Sequence, residues 1–229
     1  MAAQKRTVDG FELNFSSDWI KHLEGQEHWA FYWHQAKLVE DQIPQDSRVL
    51  EIGVGTKFLS NYLRSRGRDI ITLDIDADKA PDYVDDASSF DYGALEVESV
   101  LAFEIFEHLP FPLFCRVIER LSACEVQRIV FSVPWCEKKL LRAQVKLPRM
   151  KPYRFAITLP WRRVSTVNHF WELDPFSAFQ KKRTVDQTSN EKVLIPLSQL
   201  TSFFESQGYT ISAEKKVDYI QFFTAVRSA

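Results

Sequence analysis

The sequence predicts a doubly wound α/β domain on a mostly parallel sheet, and three stretches carry that expectation. Val49 to Lys57 reads VLEIGVGTK: a short apolar run enters two glycines one residue apart, then an amphipathic segment. That is the pattern of a buried strand, a tight turn and a helix seated on the turn. Ile70 to Leu73 is a second apolar run, ending on Asp74. Ser99 to Phe103 is apolar on both faces, as a central parallel strand must be. Glycine at 53 and 55 keeps side chains from pushing a ligand off the backbone N–H groups and permits φ > 0 in the turn. A carboxylate at 74 can accept both hydroxyl protons of a ribose, so the stretches together describe a nucleoside cradle.

What the turn lacks narrows the nucleoside. A dinucleotide fingerprint, G-x-G-x-x-G, places Gly or Ala at 58, because a pyrophosphate sits close to the helix start. This chain has Phe58. Glu51, just before the turn, would repel a phosphate but suits a ligand bearing an ammonium group. Lys57 stands where many nucleoside-binding loops carry a third glycine. Taken with DYVDDAS (Asp82 to Ser88) and VLAFEIFEHLP (Val100 to Pro110), these pieces resemble the class I S-adenosylmethionine-dependent methyltransferases, in particular the bacterial group called methyltransferase type 11.

The resemblance covers residues 47–109 well and the C-terminal hairpin loosely. It implies a Rossmann-like, doubly wound seven-stranded sheet, mostly parallel with a C-terminal antiparallel hairpin. It also implies S-adenosyl-L-methionine as cofactor, held by Glu51, Gly53, Val54, Gly55, Asp74, Ile75, Asp86, Ala87 and Glu104. In that set Asp86 would accept from the adenine amino group, and the Ala87 backbone would contact the ring edge. Lys57 either faces solvent on the first helical turn or pairs with the cofactor carboxylate.

Length and composition set the outer limits. The 229 residues suffice for one α/β domain and not for two of ordinary size. An apolar content of 45% with 26% charged residues is that of a globular chain, and a net charge of -2 argues against gross affinity for nucleic acid. Cys115, Cys124 and Cys136 lack close metal-ligand spacing, which points to a reducing compartment and to no structural zinc. With no leader and no apolar run near the ~18 residues of a membrane span, the expected location is cytoplasmic.

In chain order, residues 1–45 are expected to hold helices: a polar start to Gly10, then a helical pattern from Phe11 to Asp41 capped at Ser16 or Ser17. Its second helix follows Gly25 and carries His28, Trp29, Phe31, Tyr32, Trp33 and His34. One of its rings covers the sulfonium of the cofactor, or the rings bury the helix on the sheet; the second reading is preferred. His28 and His34 lack a third ligand and read as surface histidines. Residues 47–133 form the cofactor-binding core, with strands at Ser47 to Ile52, Asp69 to Asp74, Tyr83-Val84, Ser99 to Phe103 and Arg128 to Val133. Helices are expected over Thr56 to Arg66 and from Pro110 or Pro112 to Cys124. Residues 134–196 read as an insertion, and residues 197–229 as a helix followed by an antiparallel hairpin.

The insertion concentrates Lys138, Lys139, Arg142, Lys146, Arg149, Lys151, Arg154, Arg162 and Arg163, interleaved with Trp135, Tyr153, Phe155 and Trp161. Such a surface binds a polyanion, a lipid headgroup or a phosphorylated sugar, or it is a solvated face balancing an acidic main domain. Prolines 148, 152, 160 and 175 suggest a loop-rich flap. Candidate catalytic residues are His108, the best-placed group to take a hydroxyl proton, and His169 with Glu172 in the stretch NHFWE. For Glu172 the preferred role is structural, bonding backbone beside a core Trp171. The chain lacks the N/D-P-P-aromatic tetrapeptide of many base and glutamine N-methyltransferases. The favoured acceptor is a small molecule or a lipid- or sugar-linked group, ahead of a nucleic acid or of a non-catalytic scaffold. Nothing in the sequence requires a metal.

Overall fold

Side-chain alternation lets one sheet serve two helical layers here. In the computed structural model, which describes residues 4–15, 25–145, 148–149, 153–160, 168–174 and 192–228, Leu50, Val100, Ile129 and Phe131 pack in one apolar cluster. Their alternates Val49, Leu101 and Val130 pack in another. Period-2 alternation sends these sets to opposite faces, so strands buried on both sides need helices on both sides.

The chain begins with an antiparallel pair, β1 (Gln4–Val8) and β2 (Phe11–Phe15), followed by helix α1 (Gln26–Gln42). The core then runs β3 (Val49–Ile52), α2 (Phe58–Ser65), β4 (Ile70–Asp74), β5 (Tyr83–Val84), β6 (Ser99–Phe103), α3 (Phe111–Ala123) and β7 (Arg128–Pro134). Next come β8 (Glu137–Val145), β9 (Tyr153–Pro160), β10 (Trp171–Asp174) and β11 (Val193–Pro196). Helix α4 (Leu197–Ser206) and the strands β12 (Tyr209–Val217) and β13 (Ile220–Arg227) complete it. The seven-stranded sheet has the order β5-β4-β3-β6-β7-β13-β12, parallel from β5 to β7 and antiparallel over the last two strands. This is the expected doubly wound sheet with its C-terminal hairpin.

Helices α1 and α2 cover one face through Ala36, Val39, Leu59 and Leu63. On the other face α3 and α4 contribute Phe114, Val117, Leu121, Leu200 and Phe204. There Phe131 lies stacked between Phe204 and Phe223, with ring centroids 5.2 and 5.1 Å away. Truncating a ring so buried removes on the order of 3–5 kcal/mol of stability. Among the described residues no helix is long and apolar enough to cross a membrane.

Two expectations fail. Phe11 to Phe15 is a strand, not the start of a helix, because Asp9 and Gly10 both take positive φ (49° and 82°) and fold the chain back on itself. An Asp-Gly pair between short alternating runs is a hairpin signal. The pairing puts Val8, Phe11 and Leu13 against the core. Nor is the described part of the insertion mainly loop: β8 and β9 form an antiparallel pair. Pro148 falls between the strands and Pro160 at the end of one, where a missing N–H breaks no ladder; Pro152 lies outside the described residues. Lys146, Lys151, Trp161, Arg162, Arg163 and Pro175 lie outside the described residues.

Candidate active site

The sheet reverses its winding between β3 and β6, and a crevice opens at the carboxyl ends of these strands, the usual ligand position in such folds. Gly53, Gly55 and Lys57 take positive φ there (79°, 48° and 61°). The two glycines differ in what they need. A Cβ on Gly53 would come within 2.8 Å of the Ile105 side chain, whereas one on Gly55 would meet nothing within 4 Å. Packing under Ile105 therefore demands Gly53, and only Gly55 stands under open space. Lys57 holds the left-handed conformation without being glycine, and its ammonium donates to the Ala80 carbonyl. Sequence offered solvent or a cofactor carboxylate for that ammonium, and the fold adds the Ala80 carbonyl as a partner within the chain.

Asp74 reaches the crevice edge already engaged. Its Oδ2 accepts from Val54 N–H at 2.9 Å, its Oδ1 from Asp76 N–H at 2.9 Å, and the Lys79 ammonium bonds both oxygens at 3.0 and 3.2 Å. It is Lys79 that lines the cavity, and Asp74 does not. Asp86 is half satisfied: Oδ1 accepts from Ser88 N–H, and Oδ2 has no partner among the described residues. The Ala87 carbonyl accepts from the Tyr92 hydroxyl at 2.6 Å, and Ile75 and Ala87 are half buried against the core.

Glu51, Gly53, Val54, Gly55 and Glu104 line one cavity, together with His108 and His169. Asp74, Ile75, Asp86, Ala87 and Glu172 do not line it. Burial pushes the Glu51 carboxyl up to about 8 against the relief given by the Ser60 hydroxyl and Arg64, and its Oε2 has no partner among the described residues. Burial likewise raises Glu104 to about 7. Over the opening, α1 contributes His28, Phe31, Tyr32 and Gln35. The Tyr32 hydroxyl bonds Thr56 Oγ1 at 3.0 Å, and Trp29 sits edge-on to Phe58 at 4.8 Å. The expected burial of these rings on the sheet holds in part: Phe31 is buried with Ile220 and Phe222, while Trp29 and Trp33 stay exposed.

At the far end, the turn Phe106–His108 after β6 is stitched to residues 168–172 of the insertion. Phe170 N–H donates to the Glu107 carbonyl at 2.8 Å, the Trp171 indole N–H to the Phe106 carbonyl at 3.0 Å, and His108 Nδ1 pairs with the Asn168 carbonyl at 3.0 Å. Trp171 is fully buried among Phe111 and Phe114. Glu172, equally buried, bonds His169 Nδ1 at 2.8 Å; it orients a cavity side chain rather than backbone alone. The rings of His108 and His169 meet edge to face, 5.0 Å apart. Burial, then the neighbouring His169, lowers His108 to about 4, so its imidazole is neutral at ordinary pH. Glu107, which the resemblance through the stretch VLAFEIFEHLP marks as at least as often structural as catalytic, is raised by burial and by Glu104. Lys79 was missed as well; nothing in its sequence surroundings marks it.

No protein-family model matches the sequence, and no curated protein matches it. Solved structures do. The chain is similar to the sugar N-methyltransferase from Streptoalloteichus, with a TM-score of 0.58 at 11% identity over 100% of this chain and 99% of that one. It is similar to the Burkholderia thailandensis 1,6-didemethyltoxoflavin-N1-methyltransferase, bound to its acceptor and S-adenosylhomocysteine (TM-score 0.54, 12% identity, 99% and 100% covered). The Synechocystis magnesium protoporphyrin IX methyltransferase with bound cofactor gives a TM-score of 0.53 at 14% identity, covering 93% and 86%. The fold is that of the class I S-adenosylmethionine-dependent methyltransferases.

Proposed function

We propose that the protein transfers a methyl group from S-adenosylmethionine to a small-molecule or a lipid- or sugar-linked acceptor. The observation that carries this reading is the Oε2 of Glu51, which has no partner among the described residues and is buried beside a glycine turn whose Gly55 stands under open space. A buried carboxylate oxygen without a donor is costly, and the ammonium of the methionine end would satisfy it. The second unpartnered oxygen, Asp86 Oδ2, suits the adenine amino group. Asp74 takes the ribose hydroxyls, which replace the Lys79 ammonium there.

The reaction is an in-line displacement at the methyl carbon, releasing S-adenosylhomocysteine. The positive sulfur already activates the methyl, so the protein contributes alignment and exclusion of water. His108 and His169, the latter held by Glu172, stand at the acceptor end and prepare a poorly nucleophilic acceptor. Neighbours of this fold that act on a sugar or on a heterocycle, as their names state, support an acceptor of that size.

The test has two stages. Calorimetry with S-adenosylhomocysteine should show one cofactor per chain; no binding would end the proposal. Incubation with methyl-labelled cofactor and a fractionated extract should then place label in the small-molecule, lipid or sugar fraction. Label in RNA would redirect the acceptor class, and cofactor binding without transfer to any fraction would identify a scaffold.

A further inference from the structure

At the acceptor end, Glu107, His108 and His169 each offer a ligand atom, and these atoms lie within 4.8 Å of one another. Outer partners set both imidazoles in the same state. The Asn168 carbonyl can only accept, so His108 Nδ1 carries the proton and Nε2 keeps a lone pair. Glu172 accepts from His169 Nδ1 and leaves Nε2 of that ring in the same form. Imidazoles anchored through one nitrogen by a carbonyl or carboxylate are characteristic of metal ligands. Glu107 adds an independent sign: the side chain is 1% exposed, and its Oε2 has no partner among the described residues. Two nitrogen lone pairs thus converge with a carboxyl oxygen that has no donor among the described residues, and a cation satisfies all three.

We infer that Glu107, His108 and His169 form a site for one divalent first-row transition ion, such as Mn²⁺, Fe²⁺, Co²⁺ or Zn²⁺. Two nitrogen donors favour these ions over Mg²⁺ and Ca²⁺, which prefer oxygen. Ligand bonds of about 2.0–2.2 Å put two donors of one ion roughly 3.0–4.4 Å apart, according to the angle between them, so atoms now as much as 4.8 Å apart draw closer by roughly 0.4 Å or more when the ion binds. The remaining coordination positions face the cavity, which His108 and His169 line. The sequence, with its three ligands split between the turn after β6 and the insertion, suggested no metal.

The role of the ion rests on the methyltransferase reading, although its binding does not. An acceptor hydroxyl coordinated to the ion loses its proton to solvent, as metal-bound hydroxyls do. Its oxygen then forms the bond to the methyl carbon as the carbon–sulfur bond breaks and the sulfonium becomes a neutral thioether. The ion keeps its charge throughout, and the two histidines act as ligands rather than as bases.

The full chain, stripped with chelator, is titrated with Mn²⁺ and followed by the electron paramagnetic resonance of the free ion, with S-adenosylhomocysteine calorimetry in parallel. One Mn²⁺ per chain is expected, and Co²⁺ should bring visible d–d absorption in the unmutated protein. Glu172→Gln should weaken Mn²⁺ binding about 10- to 100-fold and Glu107→Gln further, with circular dichroism unchanged. Cofactor binding without Mn²⁺ or Co²⁺ binding, or a folded Glu107→Gln that binds Mn²⁺ as tightly as the parent, overturns the site and leaves methyl transfer standing. Mn²⁺ binding without cofactor binding supports the site and removes the methyltransferase reading.

Discussion

Asp74, at the crevice edge, is 4% exposed and accepts hydrogen bonds from two backbone N–H groups and a lysine. Glu51 and Glu107, which line the cavity, are as deeply buried at 5% and 1%, and each has an oxygen with no partner among the described residues. Equal burial with opposite satisfaction separates two jobs. Where the chain supplies its own donors, a carboxylate is a structural post that a ligand must compete for. Where it withholds them, burial raises the carboxyl and the cost is recovered only when a cation arrives. The two cations proposed for these positions are the methionine ammonium at Glu51 and a metal ion at Glu107.

Substitution should expose that contrast most sharply at Asp74. Asp74→Ala strands the Lys79 ammonium in a pair whose side chains are 9% and 2% exposed, and breaking such a pair costs about 3–5 kcal/mol. Urea denaturation should register that loss, along with collapse of S-adenosylhomocysteine affinity; an Asp74→Ala protein as stable as the parent would erase the distinction between the two jobs.

Glu51→Gln should behave in the opposite way. With its folded carboxyl raised to about 8, Glu51 favours the native state fully below the ordinary carboxylate range, and that contribution is lost as pH rises toward 8. The melting temperature of the cofactor-free protein should therefore fall between pH 5 and pH 8, and Glu51→Gln should flatten part of the fall. Affinity for S-adenosylhomocysteine should drop about tenfold, the effect of losing one charge-assisted hydrogen bond. In the parent that affinity should climb toward pH 8 with release of a proton, measurable by calorimetry in buffers of different ionisation enthalpy.

The smallest effect is expected at Lys79. Lys79→Met removes the ammonium that competes with the ribose, so S-adenosylhomocysteine should bind more tightly, by less than about tenfold, to a less stable protein. Weaker binding would mean that Lys79 helps to hold the sugar instead.

Strands β3, β4, β6 and β7 were legible because each is a continuous apolar run bounded by turn residues, and helices α2 and α3 because their apolar faces recur at helical spacing. The β1–β2 pair was legible in principle from Asp9-Gly10, but the aromatic-rich segment beyond it suggested one long helical region. In the site, Glu51, Gly53 and Gly55 follow from one local motif. The bond of His108 to the Asn168 carbonyl does not, since it joins a turn after β6 to a segment 60 residues further on; the Lys79–Asp74 and His169–Glu172 pairs are short in sequence, but no motif marks them.

By itself the sequence determined the sheet, its winding and the place of the glycine turn, because apolar periodicity and turn chemistry act over a few residues. Only the tertiary structure decided which carboxylates find donors, for burial and hydrogen bonding depend on elements far apart in the chain. Asp74 and Glu51 are both acids at the carboxyl ends of neighbouring apolar runs, and packing alone gave one a lysine and left an oxygen of the other without a donor among the described residues.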